Sequence, residues 1–485
     1  MNTKDRKKLD QMCNPRGIAV FGGSKPMSFG YSVLMSQIVF GYKGQIYPVS
    51  SGDGEVLGHK IIKSIKDADG PVDLACISVP AQFVPTILKE CLDTGVPGVQ
   101  IHSSGFTETG SNEGAAIQKE IDKIAAQGIK IIGPNCFGIH SPKGRIALLP
   151  AFDTSTVSGP VAMISQSGGL ANEFIHEADN AGMGISKVIS FGNGCDIDAV
   201  QLIDYLSDDP ETGYIAAYLE GVKDGRKFFD TVKKAAAKKP VVIWKGGLTP
   251  LGSRATKSHT GSMGGESKIW HGVFEQTRAI AVQGLDEMID TLQALTFLKS
   301  RGRRITLTGG GGAIGVFSSD LAYQWGLEIP AFSEETQQRL RKYFPNPGNS
   351  MVNPLDTGTP TLPLETLTGA VKEILVNEPI DIMVLIMLMH PLEVVSRAYF
   401  KMHDMEPLPR GMYLDGLLEA LSLLKKETGK DIAVVIENRA YKIEDIEVES
   451  TLREMRIKYH ENGIPVYPNA KRALQGIKNA SLIRG

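Results

Sequence analysis

Short aliphatic and β-branched runs alternate along this chain with longer segments in which apolar residues return every three or four positions. Residues 17–21 (GIAVF), 45–49, 73–79, 98–102 and 130–132 read as strands, most with Gly or Pro close behind, and the intervals between them can hold crossover helices. Repeated strand–helix alternation predicts βαβ units wound around a parallel sheet buried on both faces, hence an α/β fold. Pro142, Pro150 and the polar stretch 153–159 interrupt the rhythm and end a first domain near residue 150. It restarts with strands at 161–164, 187–190, 214–219, 240–244 and 279–282 and with helices such as 169–181 and 198–207. A charged seam, 299–304, marks the next boundary, after which 305–307, 382–387, 432–436 and 465–467 carry a third set of strands. Three tandem domains follow, 1–150, 151–300 and 301–485. The second and third open alike, VAMISQSGGLANEF from Val161 and ITLTGGGGAIGVFSSD from Ile305, a weak internal repeat of strand, small-residue loop and helix. The Met-rich run 383–389 reads as a core strand, and the Pro/Gly-rich 346–363 as a long loop.

Length agrees with this count, since 485 residues are about three times an ordinary domain of roughly 150. With 52 Lys and Arg against 54 Asp and Glu the net charge is -2, so no global positive field draws the chain to nucleic acid or an anionic membrane. Cys13, Cys76, Cys91, Cys136 and Cys195 form no C-x-x-C pair, which argues against a disulfide framework and a zinc site and fits a reducing compartment; no metal site is expected. The charged start MNTKDRKKLD does not read as a signal peptide, and no window holds the 18 or so uninterrupted apolar residues of a membrane span, so a cytoplasmic protein is expected.

The candidate chemistry lies in the loops behind the strands. Gly22, Gly23 and Ser24 open GGSKPMSFG, where a glycine turn and the following helix could receive a phosphate. The glycines are not spaced G-x-G-x-x-G, and no acid ends the second strand, IYPVS, which carries Pro48. A nicotinamide oxidoreductase is therefore disfavoured. A nucleotide-containing ligand is preferred, with packing as the alternative. The loops holding Val79 and Pro80, Ser104 and Gly105, and Asn135 and Cys136 (GPNCFG) follow strands of the same set, so they gather at one carboxyl edge. In the second set Ser165, Ser167, Gly168 and Gly169 open a helix as an anion nest or, equally, as a plain capped start. Gly192, Asn193 and Gly194 form a second Gly loop on that edge, and Glu220 ends an apolar strand, a position that suits a carboxylate orienting a base. The stretch TPLGSRATKSHTGSMGGES reads as a long irregular loop with Arg254, Lys257 and His259, the imidazole being its one nucleophile near neutral pH. His59, His102, His140, His176, His271, His390, His403 and His460 read as surface or packing residues.

Taken in order, GPNCFG, SQSGGL, GNGCDID, DDPET, YLEG and SHTGS resemble the α subunit of the ADP-forming acyl-CoA synthetases, in particular the acetyl-CoA synthetase branch, and more distantly that of succinyl-CoA synthetase. The resemblance implies a Rossmann-like coenzyme A-binding domain followed by two flavodoxin-like ligase domains. Coenzyme A would bind through Gly22, Gly23, Ser24, Pro48, Val79, Pro80, Ser104, Gly105, Asn135 and Cys136, and phosphate and the acyl group at Ser165, Ser167, Gly168, Gly169, Gly192, Asn193 and Gly194. It implies that His259 carries a phosphoryl group and that Glu220 orients it. A small carboxylate, phosphate and ATP or ADP with Mg2+ complete the reaction, the nucleotide held mainly by an ATP-grasp β subunit in an α2β2 assembly. Gly194 and Cys195 stand where relatives carry Lys-Ala, which predicts a reshaped acyl site and an acid other than acetate. A silent coenzyme A-binding regulator of the same fold is the rival, disfavoured by the presence of both His259 and Glu220.

Overall fold

The structure, a computed structural model, describes residues 1–149, 153–260, 266–344, 349–358, 362–388, 398–406, 411–437, 443 and 446–483, and for 256–260 the backbone alone. Two compact units divide it: Met1–Asp179 with Met183–Met288, and Asn180–Gly182 with Ile289–Gly485. No helix among the described residues is long and apolar enough to cross a membrane.

The first unit holds two large sheets, one wholly parallel and one parallel but for an edge strand. Strands β1 (Gly17–Phe21), β2 (Gln45–Val49), β5 (Leu74–Ile77), β6 (Gly98–Ile101) and β7 (Lys130–Ile132) stand in the order β2-β1-β5-β6-β7. Between β2 and β5 lies a small ribbon, β3 (Glu55–Val56) with β4 (His59–Lys60). All five residues of β1 and all four of β5 and β6 are buried, as strands covered on both faces require. The second sheet runs β13-β12-β11-β9-β10-β8, from β8 (Gly138–His140), β9 (Ser158–Ser165), β10 (Ile185–Ser190), β11 (Tyr214–Leu219), β12 (Val241–Lys245) and β13 (Ile280–Val282). Crossover helices begin at side-chain caps: Ser28 accepts from the Tyr31 amide, Ser111 from that of Gly114, and Asp198 with Gln201 forms a capping box.

Strand β8 is the element that sequence periodicity does not announce. It pairs antiparallel with β10, so the second sheet takes its edge strand from residues before 150. The DDPET motif has a structural part in the same sheet. The buried Lys187 ammonium of β10 lies 2.8 Å from Asp209 and 2.9 Å from Glu211. Burial alone would lower its pKa, but the two carboxylates raise it.

Two histidines are enclosed in this unit. His140 sits in β8 with its ring 5.0 Å from Phe40, and His102 follows β6. Burial pulls both imidazoles down from 6.5 to about 3. Because the folded values lie below the unfolded one, their contribution to stability is complete above pH 6.5 or so and is lost as pH falls toward 3. Near pH 5 the two together impose a slope approaching about 2.7 kcal/mol per pH unit. Urea midpoints measured between pH 7.5 and 5 are expected to fall accordingly, and His140→Phe to reduce that slope by about half; an unchanged slope contradicts the assignment.

The second unit is built on β14 (Ile305–Gly309), β15 (Ile382–Leu388), β16 (Asp431–Glu437) and β17 (Val466–Tyr467), all parallel in that order. Met383 and Met387 are buried in β15 as core residues. The charged seam is pinned to this sheet: Asp431 accepts from the amides of Lys299 and Ser300 at 2.7 and 2.6 Å, and Asp381 takes the Arg304 guanidinium at 2.7 Å.

Candidate active site

Counting only the parallel strands, both sheets of the first unit have the order 2-1-3-4-5, so each reverses direction beside its first strand. A crevice opens at the carboxyl ends of the strands flanking such a reversal. In the first sheet it lies between the loops after β1 and β5. Gly22, with φ of +86°, passes so close to Ser78 that a Cβ would stand 2.3 Å from the Ser78 carbonyl oxygen, so only glycine lets the two loops meet. Ser24 reaches the Ser50 hydroxyl at 3.1 Å, just beyond β2 and its Pro48. In the second sheet the reversal lies between β9 and β11. Ser165 closes a turn on Ser167, its hydroxyl donating to the Ser167 carbonyl at 2.7 Å, and Gly168 and Gly169 begin the helix Gly168–Asn180, where the Ser167 hydroxyl accepts from the Leu170 amide at 3.3 Å.

The segment between β7 and β8 brings these two edges together. Asn135 takes φ of +58° and donates its amide to the Ser103 carbonyl at 2.9 Å. From the second sheet, Asn193 donates to the Pro134 carbonyl at 3.0 Å, Cys195 to that of Gly133 at 3.0 Å, and the Ser190 hydroxyl accepts from the Phe137 amide at 3.1 Å. The result is a cavity of about 510 Å³. Of the residues expected to bind the coenzyme, Val79, Pro80, Ser104, Asn135 and Cys136 line it; of those expected around phosphate, Ser167, Gly168, Gly169, Gly192 and Asn193 do. Gly22, Gly23, Ser24, Pro48, Gly105, Ser165 and Gly194 stand outside this wall.

Some expected residues are placed differently from their sequence reading. Cys195 packs against the core of the first sheet, not into the cavity, and burial pushes its thiol up to about 12. Gly194 has φ of +59°, and its carbonyl accepts from Lys223 at 2.6 Å. Cys195 therefore ties the Gly loop to the first sheet while Gly194 is held from the second, and neither residue lines the cavity. The Cys136 thiol donates to the Ile101 carbonyl at 3.3 Å, and burial raises its pKa, which keeps the thiol protonated. The expected long loop before His259 is instead a helix, Pro250–Thr260, begun by Pro250 and by Thr249 accepting the Gly252 amide at 3.0 Å. His259 lies in its last turn; its side chain and that of Lys257 are outside the described residues, while Arg254 is exposed.

Glu220, at the end of β11, is buried, and Tyr218 donates to its carboxylate at 3.3 Å. The Gln166 side chain, from the loop after β9, accepts from the amides of Glu220 and Gly221, locking the strand end to the loop that opens the helix Gly168–Asn180. Lys245, ending β12, donates to the Glu220 carbonyl at 2.9 Å and lies 5.2 Å from the Trp270 ring centre. Burial lowers its pKa to about 8, against the opposing pull of Glu220.

Sequence reasoning missed the parts of Glu108, Phe29 and His102. Glu108 accepts from the Gly105 and Phe106 amides at 2.7 and 3.1 Å and from the Asn193 side chain at 2.6 Å, so one carboxylate shapes loops of both sheets. Its place shortly after SSGF was a readable turn signal. Phe29, Phe137 and His102 form an aromatic wall of the cavity, with His102 5.4 Å from Phe29 and Phe29 6.0 Å from Phe137. Among the described residues no cluster of His, Cys, Asp or Glu suited to a metal is found.

Known proteins bear on this arrangement. A CoA binding domain matches residues 16–142, and a succinyl-CoA ligase like flavodoxin domain matches residues 158–295. The α subunit of the ADP-forming acetate–CoA ligase II of Pyrococcus furiosus is 41% identical over 72% of this chain and 76% of its own. The α subunit of ligase I from the same organism is 33% identical over 97% and 96%. The acetyl-coenzyme A synthetase 1 of Korarchaeum cryptofilum, solved with phosphate and ADP, superposes with a TM-score of 0.79 at 29% identity, covering 98% of this chain and 96% of that one. Two switch-point crevices joined at one cavity are thus built on a coenzyme A-binding and a ligase fold, and the chain belongs to the α subunits of the ADP-forming acyl-CoA ligases.

Proposed function

We propose that the chain interconverts a small carboxylate, coenzyme A and ATP with acyl-CoA, ADP and phosphate, using residues 1–150 for the coenzyme, 151–300 for phosphoryl transfer and 301–485 as a second ligase-like domain. The observation that carries this reading is the shared cavity, with coenzyme-side residues such as Asn135 and Ser104 on one wall and the Ser167–Gly169 helix start on the other. A phosphate oxygen held at those amides attacks the thioester carbonyl carbon, and the C–S bond breaks to release coenzyme A as thiolate. The imidazole of His259 then attacks phosphorus and expels the carboxylate. The phosphoryl group passes from His259 to the terminal phosphate oxygen of ADP. Loss of the histidine N–H proton on the first transfer and its return on the second close the balance. Preorganised amides suit this chemistry, because phosphoryl transfer depends on positioning and on neutralising oxygen charge. Glu220, fixed by Gln166, would hold the His259 ring in one tautomer. Gly22, Gly23, Ser24, Pro48 and Gly105 would hold the coenzyme's nucleotide end, and Ser165 and Gly194 would support the phosphate loops.

The nucleotide, with Mg2+, would sit mainly on an ATP-grasp β chain, in an α2β2 assembly in the cytoplasm. The purified chain is expected to bind coenzyme A while releasing no ADP from ATP, and addition of such a β chain to restore acid- and coenzyme-dependent turnover. ADP release by the chain alone, dependent on acid and coenzyme, contradicts the division of labour.

A further inference from the structure

His102 is a polar group in the cavity wall to which the reaction above gives no part. Its backbone amide donates to the Ile77 carbonyl at 2.9 Å, which fixes it at the end of β6, and its Nδ1 lies 2.9 Å from the Ser78 hydroxyl. The other ring nitrogen, Nε2, is buried with no hydrogen-bond partner, although the residue lines the cavity and is only 8% exposed. An orphaned buried ring nitrogen costs about 1–3 kcal/mol unless something completes it, and while those of His140 are shut in the core, that of His102 belongs to a residue lining the cavity, where a ligand can reach it. The surroundings limit what that can be. Phe29 and Phe137 give this side of the cavity an aromatic wall, and none of the lining residues is Lys, Arg, Asp or Glu. A second carboxylate on the ligand would find no counter-charge among them, whereas an uncharged oxygen needs only one hydrogen bond.

We propose that Nε2 of His102 hydrogen-bonds an uncharged oxygen on the acyl chain, so that the preferred acid is a monocarboxylate bearing a hydroxyl or carbonyl group. This rests on the ligase reading, with the cavity receiving the acyl group. The imidazole stays neutral here, since burial holds its pKa near 3. With Ser78 engaged at Nδ1, the ring is oriented and Nε2 is fixed as donor or acceptor by the tautomer that Ser78 selects. The pantetheine arm of coenzyme A also carries carbonyl oxygens and is the competing source of the same bond.

The test uses the chain with its β partner and two matched pairs of acids, butanoate with 4-hydroxybutanoate and 3-phenylpropanoate with 3-(4-hydroxyphenyl)propanoate. Wild type is expected to favour the hydroxylated member of at least one pair by about 5- to 150-fold in kcat/KM, the range of a hydrogen bond to an otherwise unpaired buried group. His102→Leu is expected to bring that ratio near one with KM for coenzyme A unchanged, and His102→Gln to restore part of it. A ratio of one in wild type, a ratio that survives His102→Leu, or a rise in KM for coenzyme A common to both acids overturns the proposal, the last assigning the bond to pantetheine. Should His102→Leu fail to fold, 15N spectra of the wild-type imidazole decide: Nε2 is expected to shift with the hydroxylated acid and not with its partner, and equal shifts overturn the proposal. Turnover with either member of a pair keeps the ligase reading intact whatever the ratio, so the two claims fail separately.

Discussion

His259→Asn is expected to lower acid- and coenzyme-dependent ADP release by on the order of 10^4-fold or more, while coenzyme A affinity stays within about twofold. Asparagine keeps much of the polarity and bulk but has no nitrogen lone pair able to accept a phosphoryl group, so the covalent route closes. Coenzyme A affinity is spared because the coenzyme loops follow β1, β5, β6 and β7, whereas the helix Pro250–Thr260 follows β12 of the other sheet. Calorimetric titration with coenzyme A beside a coupled ADP assay separates the two effects. Turnover within tenfold of wild type would remove His259 from the mechanism.

Gly192→Ala is expected to be the most damaging small substitution in the cavity wall. Gly192 has φ of +51°, and a Cβ there would stand 2.2 Å from the Asn135 carbonyl oxygen and 2.3 Å from that of Pro134. Both obstacles are backbone, so relief requires the two loops to part, breaking the 3.0 Å bond from the Asn193 amide to Pro134. A cost of about 2–4 kcal/mol in stability follows from the clash and the lost bond. A displacement near 1 Å between coenzyme loop and phosphate loop is worth about 100-fold in kcat/KM. Gly169→Ala supplies the contrast, since a Cβ there meets nothing within 4 Å and the residue lies in a helix. Its melting temperature is expected to hold or rise slightly, so any activity it loses reports on the anion nest. Equal stability losses in both variants would contradict the proposed role of Gly192 as the point of loop contact.

Periodicity located the parallel strands because a strand buried on both faces writes itself as an apolar run, as in GIAVF and YIAAYL. Strand β8 escaped because it is three residues long and earns its place through a partner some fifty residues away. The helix Pro250–Thr260 was hidden by its composition. PLGSRATKSHT has no apolar stripe, although Thr249 and Pro250 together spell a helix start. Asn135, Ser167 and Gly192 were legible as loop residues behind strands, and the two switch points explain why they meet. His102 was not legible, since its interest lies in a buried ring nitrogen without a partner on a residue of the cavity wall, a fact of tertiary structure. Cys195 misled because its neighbours in sequence, Gly192 and Asn193, do line the cavity, while its own side chain turns toward the first sheet's core.

The proposed phosphohistidine is the step on which the proposed reaction depends, and labelling tests it most directly. The chain is incubated with an ATP-grasp β partner and γ-32P ATP, quenched, and digested for peptide mapping. The account predicts label on this chain that is acid-labile and base-stable, confined to the peptide containing His259, and removed by adding the substrate acid with coenzyme A. Label at another residue, or none on this chain while the mixture forms acyl-CoA, would contradict it.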